Sequence, residues 1–150
     1  MVKRIVVSGY FDPPHVGHYE LFKYAKNYCD DAYVVAVIHR VDETIQKSGF
    51  YVYTTDELMR ILLQSPWIDE VITATDIDGT VTETLRTLKP HYFIKGPDRS
   101  PTTMPKKELE VCDEIGCQVI YQTSFKVGNS SNIKKRIKEQ LEHSFFKSYT

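Results

Sequence analysis

Ser8–Lys26 reads SGYFDPPHVGHYELFKYAK, and the fold turns on it. The β-branched run Arg4–Ser8 (RIVVS) ends at Gly9, Pro13 and Pro14 set up a helix start, and a helical pattern follows over His15–Tyr28. A strand that passes through a short turn into a helix is the opening half of a βαβ unit. His15 and His18 fall in the first turn of that helix, and spacing i, i+3 puts both imidazoles on one face. Gly17 between them leaves room for a ligand to approach the backbone. The N–H groups of a first helical turn, with the helix dipole behind them, attract anions, and two imidazoles added there suit phosphate oxygens. On an ordinary helix the same pair is only two surface histidines. Zinc is the weaker reading, because two histidines need two further ligands and neither HExxH nor a paired CxxC supplies them.

Outward from this stretch the alternation repeats. Ala32–Ile38 (AYVVAVI), Glu70–Ala74 (EVITA), His91–Lys95 (HYFIK) and Gln118–Tyr121 (QVIY) read as further strands, continuous apolar runs of the kind covered on both faces. Thr55–Gln64, Thr80–Leu88 and Pro105–Ile115 read as helices. Thr54, Thr55 and Asp56 open the first, Gly79 and Thr80 open the second, and Gly116 stops the third. A last helix runs from about Ser131 to His143, with Ile133, Ile137 and Leu141 along one face. The pattern predicts one doubly wound α/β domain over residues 1–150, a Rossmann-like five-stranded parallel sheet with helices on both faces. His39–Tyr53 and Gly96–Met104 read as long polar loops that follow strands, which places them on the carboxyl edge where open α/β sheets bind ligands.

Composition narrows the function. A chain of 150 residues is long enough for one domain and short for two. Apolar residues at 41% and charged residues at 26% exclude a disordered chain, and 19 basic against 20 acidic side chains argue against a general nucleic-acid binder. No apolar run approaches the roughly 18 residues of a membrane span. MVKRIVVSGYFDPP carries no secretory cleavage site, and Cys29, Cys112 and Cys117 are an odd number for a disulfide framework. Free thiols in a reducing cytoplasm are therefore expected. The tail KKRIKEQLEH mixes charges around an apolar stripe and reads as a packed helix with a solvated face rather than an RNA-binding patch.

GYFDPPHVGH (Gly9–His18) resembles the HxGH signature of the nucleotidyltransferase superfamily, which also includes class I aminoacyl-tRNA synthetases. Within it the chain is most similar to small cytidylyltransferases of the glycerol-3-phosphate type, and similarly close to adenylyltransferases that activate heptose 1-phosphate. YVVAVIHRVDETIQK resembles the second strand and lysine-bearing loop, WIDEVI the WVDEVI of cytidylyltransferases, PHYFIKGPD the fourth strand with its KGxD loop, and GNSSNIKKRI the closing signature at a helix start.

The resemblance implies that an acceptor phosphate oxygen attacks the α-phosphorus of a nucleoside triphosphate and releases magnesium pyrophosphate. A phosphomonoester dianion is already a nucleophile, so positioning and charge stabilisation suffice without an activated serine or cysteine. By resemblance His15 and His18 contact the triphosphate, with His18 donating as the pentacoordinate state forms, and Lys47 bridges nucleotide and acceptor phosphates. Gly9, Tyr10, Phe11 and Gly17 belong to the nucleotide-binding segment, and Gly96 and Asp98 to a loop against base and ribose. Asn129, Ser130 and Ser131 form a second anion cradle. Plainer roles stay open: a solvated loop lysine for Lys47, a turn residue for Asp98 and a simple N-cap for the serines. The expectation is CMP transfer from CTP to a small phosphorylated polyol or sugar, in a cytoplasmic homodimer with Mg2+ held mainly through the triphosphate and with no nucleic-acid or membrane partner. Adenylyl transfer from ATP to a sugar phosphate such as heptose 1-phosphate is the alternative, as is a catalytically weak nucleotide-binding module.

Two positions depart from the family pattern. The arginine usual at the start of the helix after the lysine loop is Leu58 here, and the nearest arginine, Arg60, sits two residues on, about 200° around a helix. The Arg-Thr pair that often precedes the closing signature falls at Ser124, with Lys126 nearby. Arg60 and Lys126 are the candidate replacement phosphate contacts.

Overall fold

The structure, a computed structural model, describes residues 1–123 and 130–149, the last six of these by their backbone alone. Its elements run β1 (Lys3–Gly9), α1 (Val16–Lys26), β2 (Ala32–Ile38), α2 (Val41–Ser48), α3 (Thr55–Leu63), β3 (Glu70–Thr73), α4 (Thr82–Leu88), β4 (Tyr92–Lys95), α5 (Lys106–Ile115), β5 (Gln118–Tyr121) and α6 (Ser130–Tyr149). The five strands form one sheet in the order β3-β2-β1-β4-β5, and every neighbouring pair is parallel. The expected architecture is therefore the observed one. From β1 the chain winds outward to β2 and β3, then returns past β1 to β4 and β5. The connections leaving β1 and β4 part at their carboxyl ends, and a crevice opens there.

Strand residues alternate between two apolar layers. Ile5, Val7, Val34, Ala36, Ile38 and Ile94 meet α1 and α3 through Leu21, Phe22, Leu58 and Leu62. Val6, Val35, Val37 and Phe93 meet the α4 and α5 side through Leu85, Val111 and Cys112. This two-sided burial explains the continuous apolar strand sequences. Phe22 is fully buried, and truncating such a side chain to alanine costs about 3–5 kcal/mol. Among the described residues, no helix is long and apolar enough to cross a membrane.

One segment differs from its sequence reading. His39–Tyr53, expected as a loop, contains the eight-residue helix α2, ended by Gly49 at φ 93°. Its buried residues are Glu43 and Thr44, so α2 has no apolar stripe for periodicity to detect. Gly49 in the left-handed region was the available stop signal. The consequence is that Lys47 sits in the last turn of a helix rather than in a loop.

Candidate active site at the carboxyl edge of the sheet

A cavity of about 400 Å³ lies where β1 and β4 part. The strand ends contribute Ser8, Gly9, Lys95 and Gly96, while His15 and His18 enter from the start of α1 and Ser130 and Ser131 from that of α6. Two helix starts thus meet in one hollow, and both carry positive dipole ends.

At the first of them the histidines cap the helix reciprocally. Gly17 N donates to His15 Nδ1 at 3.0 Å, and His15 N donates to His18 Nδ1 at 3.2 Å. A ring nitrogen that accepts a backbone N–H carries no proton, so both imidazoles hold theirs on Nε2. The rings stack with centroids 3.7 Å apart, and His18 meets the Phe11 ring edge-on at 4.8 Å. This changes how an anion would be met. The His15 ring takes the Gly17 N–H, and the N–H groups of His18 and Tyr19 bond to the His15 carbonyl, so the imidazole Nε2–H groups replace much of the backbone as donors.

The loop before α1 is held from several sides. Phe11 is buried at φ 49°, a backbone region costly for a residue with a Cβ. A Cβ on Gly9 would lie 2.9 Å from the Phe11 ring, so glycine is what lets that ring fold back. Asp12, 3% exposed, accepts from Val52 N at 2.7 Å and Tyr53 N at 2.9 Å. Its carboxylate also faces the buried Lys134 ammonium at 3.5 Å, and Lys134 donates to Ser48 Oγ and Phe50 O. Ser130 Oγ donates to Pro13 O at 2.9 Å. These bonds fasten α6 and the end of α2 to the histidine loop.

Lys47 reaches the cavity from α2, its ammonium 4.2 Å from the centroid of the Tyr10 ring. His39 stacks on Tyr10 at 4.2 Å, and its Nδ1 lies 3.1 Å from Glu43 Oε2. Burial, helped by the Lys95 and Lys47 charges, lowers the His39 pKa to about 4. Burial likewise raises the Glu43 carboxyl above its ordinary value. Beyond Lys47 lies a second hollow of about 360 Å³, lined by Tyr10, Glu43, Gln46, Ile77 and Asp78. Hydrogen bonds from Thr80 and Lys107 hold the Asp78 pKa down at about 2.

On the β4 side, Lys95 Nζ donates to Ser8 Oγ at 3.0 Å, and desolvation lowers its pKa. Glu108 Oε2 accepts from Val81 N, but Glu108 Oε1 and Gln122 Oε1 are buried with no hydrogen-bond partner among the described residues. Buried acceptors left this way are costly in a finished protein, which marks this wall as polar and unsaturated. Among the described residues, no group of three or more His, Cys, Asp or Glu side chains can hold a metal ion.

Most of the residues read from the sequence come together here. Gly9, Tyr10, Phe11, His15, Gly17 and His18 line the cavity, as do Lys47, Gly96, Asp98, Ser130 and Ser131. Arg60 does not. Leu58 packs in the core, so Arg60, two residues on, projects outward, is 78% exposed and pairs with Asp56 at 3.1 Å. Ser124, Lys126 and Asn129 lie outside the described residues. Sequence reasoning missed His39, Lys95, Glu108 and Gln122. Only their places at strand ends and in the first turn of α5 could have flagged them.

The sequence model of the cytidylyltransferase-like family matches residues 6–144, and the chain belongs to that family. It is 30% identical over 141 residues to the FAD synthase of Pyrococcus abyssi, spanning 91% of this chain and 93% of that protein. It is 25% identical over 118 residues to the ethanolamine-phosphate cytidylyltransferase of Mus musculus, which covers 77% of this chain and 28% of the mouse protein. The crystal structure of a lipopolysaccharide core biosynthesis protein from Thermoplasma volcanium superposes with a TM-score of 0.67, covering 83% of this chain and 99% of the other. At 19% identity that likeness concerns the fold alone.

Proposed function

We propose that the chain transfers a nucleotidyl group from a nucleoside triphosphate to a small phosphomonoester, releasing pyrophosphate. The observation that carries this reading is the reciprocal histidine cap, which engages both Nδ1 atoms and so leaves the ring protons on Nε2, in a cavity that Lys47 and the start of α6 also line. In this reading the triphosphate lies against His15, His18, Ser130 and Ser131, and the acceptor enters from the second hollow with its phosphate toward Lys47. Asp78 repels that phosphate from the floor of the hollow, and Lys47 is the cation among the described residues that line it. One acceptor oxygen forms the new P–O bond as the α–β bridge breaks, and His18 Nε2–H steadies the charge that grows on the phosphoryl oxygens. Mg2+, carried by the triphosphate's own oxygens, would neutralise part of that charge and of the leaving pyrophosphate.

For the donor, end-to-end likeness to an FAD synthase favours ATP, and FAD is an adenylyl group joined to flavin mononucleotide. CTP remains the second reading on the WIDEVI segment and the mouse cytidylyltransferase. The test is pyrophosphate release with each of ATP, CTP, GTP and UTP against flavin mononucleotide, glycerol 3-phosphate and heptose 1-phosphate. Release that needs both a nucleotide and a phosphomonoester is expected. Silence with every pair would end the proposal.

A further inference from the structure

We infer that Tyr10 is a positioning residue for Lys47: its ring, backed by the His39 imidazole, seats the lysine ammonium on the boundary between the two hollows. The inference rests on the proposed role of Lys47 and adds the device that holds it in place. The chain of contacts is continuous. The β1–β2 register pairs Gly9 with Ile38, which brings the next residues, Tyr10 and His39, side by side at the sheet edge, and His39 N donates to Gly9 O. Their rings stack at 4.2 Å with 24° between planes. His39 is 8% exposed and tied through Nδ1 to Glu43. Glu43 in turn lies 3.4 Å from Arg40, which donates to the Asp76 carbonyl. Glu43 and Lys47 are i, i+4 on α2, so one helix supplies both the anchor of the stack and the cation that rests on it. Tyr10 and Lys47 each line both hollows.

A lysine side chain has four rotatable bonds, and a phosphate bridge needs it in one place. An aromatic face within about 6 Å attracts the ammonium by its quadrupole and leaves the N–H donors directed elsewhere. A neutral partner behind the ring avoids the repulsion that a charged imidazole would add, and burial keeps His39 neutral at ordinary pH. The ring, not the phenolic hydroxyl, is therefore the working part of Tyr10.

The test is a double-mutant cycle on pyrophosphate release. Tyr10→Leu should lower kcat roughly 3- to 30-fold, the kinetic equivalent of one cation–π contact, with a smaller change in nucleotide KM. Tyr10→Phe should restore the wild-type rate, and Tyr10→Leu added to Lys47→Met should cost nothing beyond Lys47→Met alone. Additive losses, or Tyr10→Phe as impaired as Tyr10→Leu, overturn the inference. A Lys47→Met enzyme with wild-type kcat removes the proposed role of Lys47 itself, a separate failure. Should Tyr10→Leu not fold, the wild-type protein still decides: the Lys47 ε-methylene protons, assigned with Lys47→Arg, should be shifted upfield in NMR by the Tyr10 ring current. Unshifted resonances overturn the inference.

Discussion

The starts of α1 and α3 use one device with different residues. α3 opens with Thr54, whose hydroxyl accepts from Glu57 N, while Glu57 reaches back to Thr54 N at 3.0 Å. α1 opens with His15 and His18 at the same spacing: His15 N donates to His18 Nδ1, and the His15 ring accepts from Gly17 N, one residue earlier than the donor in α3. In α3 the box is purely structural, and its backbone and side-chain bonds hold the Glu57 carboxyl below its ordinary pKa. An imidazole has a second nitrogen. The α1 box therefore satisfies its backbone with Nδ1 and still keeps an N–H on Nε2 of each ring, in two residues that line the cavity. The difference is chemical rather than conformational, and it lets one histidine pair serve as a helix cap and, in the proposed reaction, as phosphate donors.

The largest expected effects separate cap from chemistry at α1. His15→Asn retains a good N-cap for Gly17 N and removes Nε2, so turnover should fall about 10²–10³-fold while thermal stability stays near wild type. His18→Ala should fall by a similar factor. Wild-type turnover in either enzyme would reduce α1 to the status of α3.

His39 sharpens the contrast, being a third histidine at this edge that is stacked and buried. Its folded pKa of about 4 lies below the ordinary 6.5, so the unfolded chain takes up the proton first as pH falls. Stability should be full above pH 6.5 and decline towards pH 4, by about 3 kcal/mol in all. Urea melts of wild type and His39→Gln across that range check it, since the variant should lack this component. At α3, Thr54→Ala should cost about 1 kcal/mol in a denaturant melt and leave kcat unchanged. Smallest of all, Arg60→Ala should alter stability by less than about 0.5 kcal/mol and alter kinetics not at all, because its pair with Asp56 is exposed. A raised KM for nucleotide would return Arg60 to the site.

The sequence made the sheet legible because each strand is apolar on both faces and each long helix carries a stripe. It made the histidine loop legible because the glycine, prolines and histidines that shape it are contiguous. The mode of donation was hidden, since spacing alone cannot show that the rings occupy the N–H groups they accompany. The α2 helix escaped notice because Glu43 and Thr44, not apolar residues, face inward. The Asp12–Lys134 pair and the wall of Lys95, Glu108 and Gln122 join residues far apart in the chain, which no local pattern can bring together. Arg60 lies outside the cavity for a local reason: Leu58 holds the inward face of α3.

The central claim is that one pair of imidazoles caps α1 through Nδ1 and meets phosphate through Nε2. Long-range 1H–15N NMR of the histidine side chains, without and with a non-hydrolysable nucleoside triphosphate, tests it most directly. The account predicts that His15 and His18 are both Nε2–H tautomers, with Nδ1 unprotonated throughout and the Nε2–H signals moving when the nucleotide binds. A proton on either Nδ1, or Nε2 signals unmoved by bound nucleotide, would contradict it.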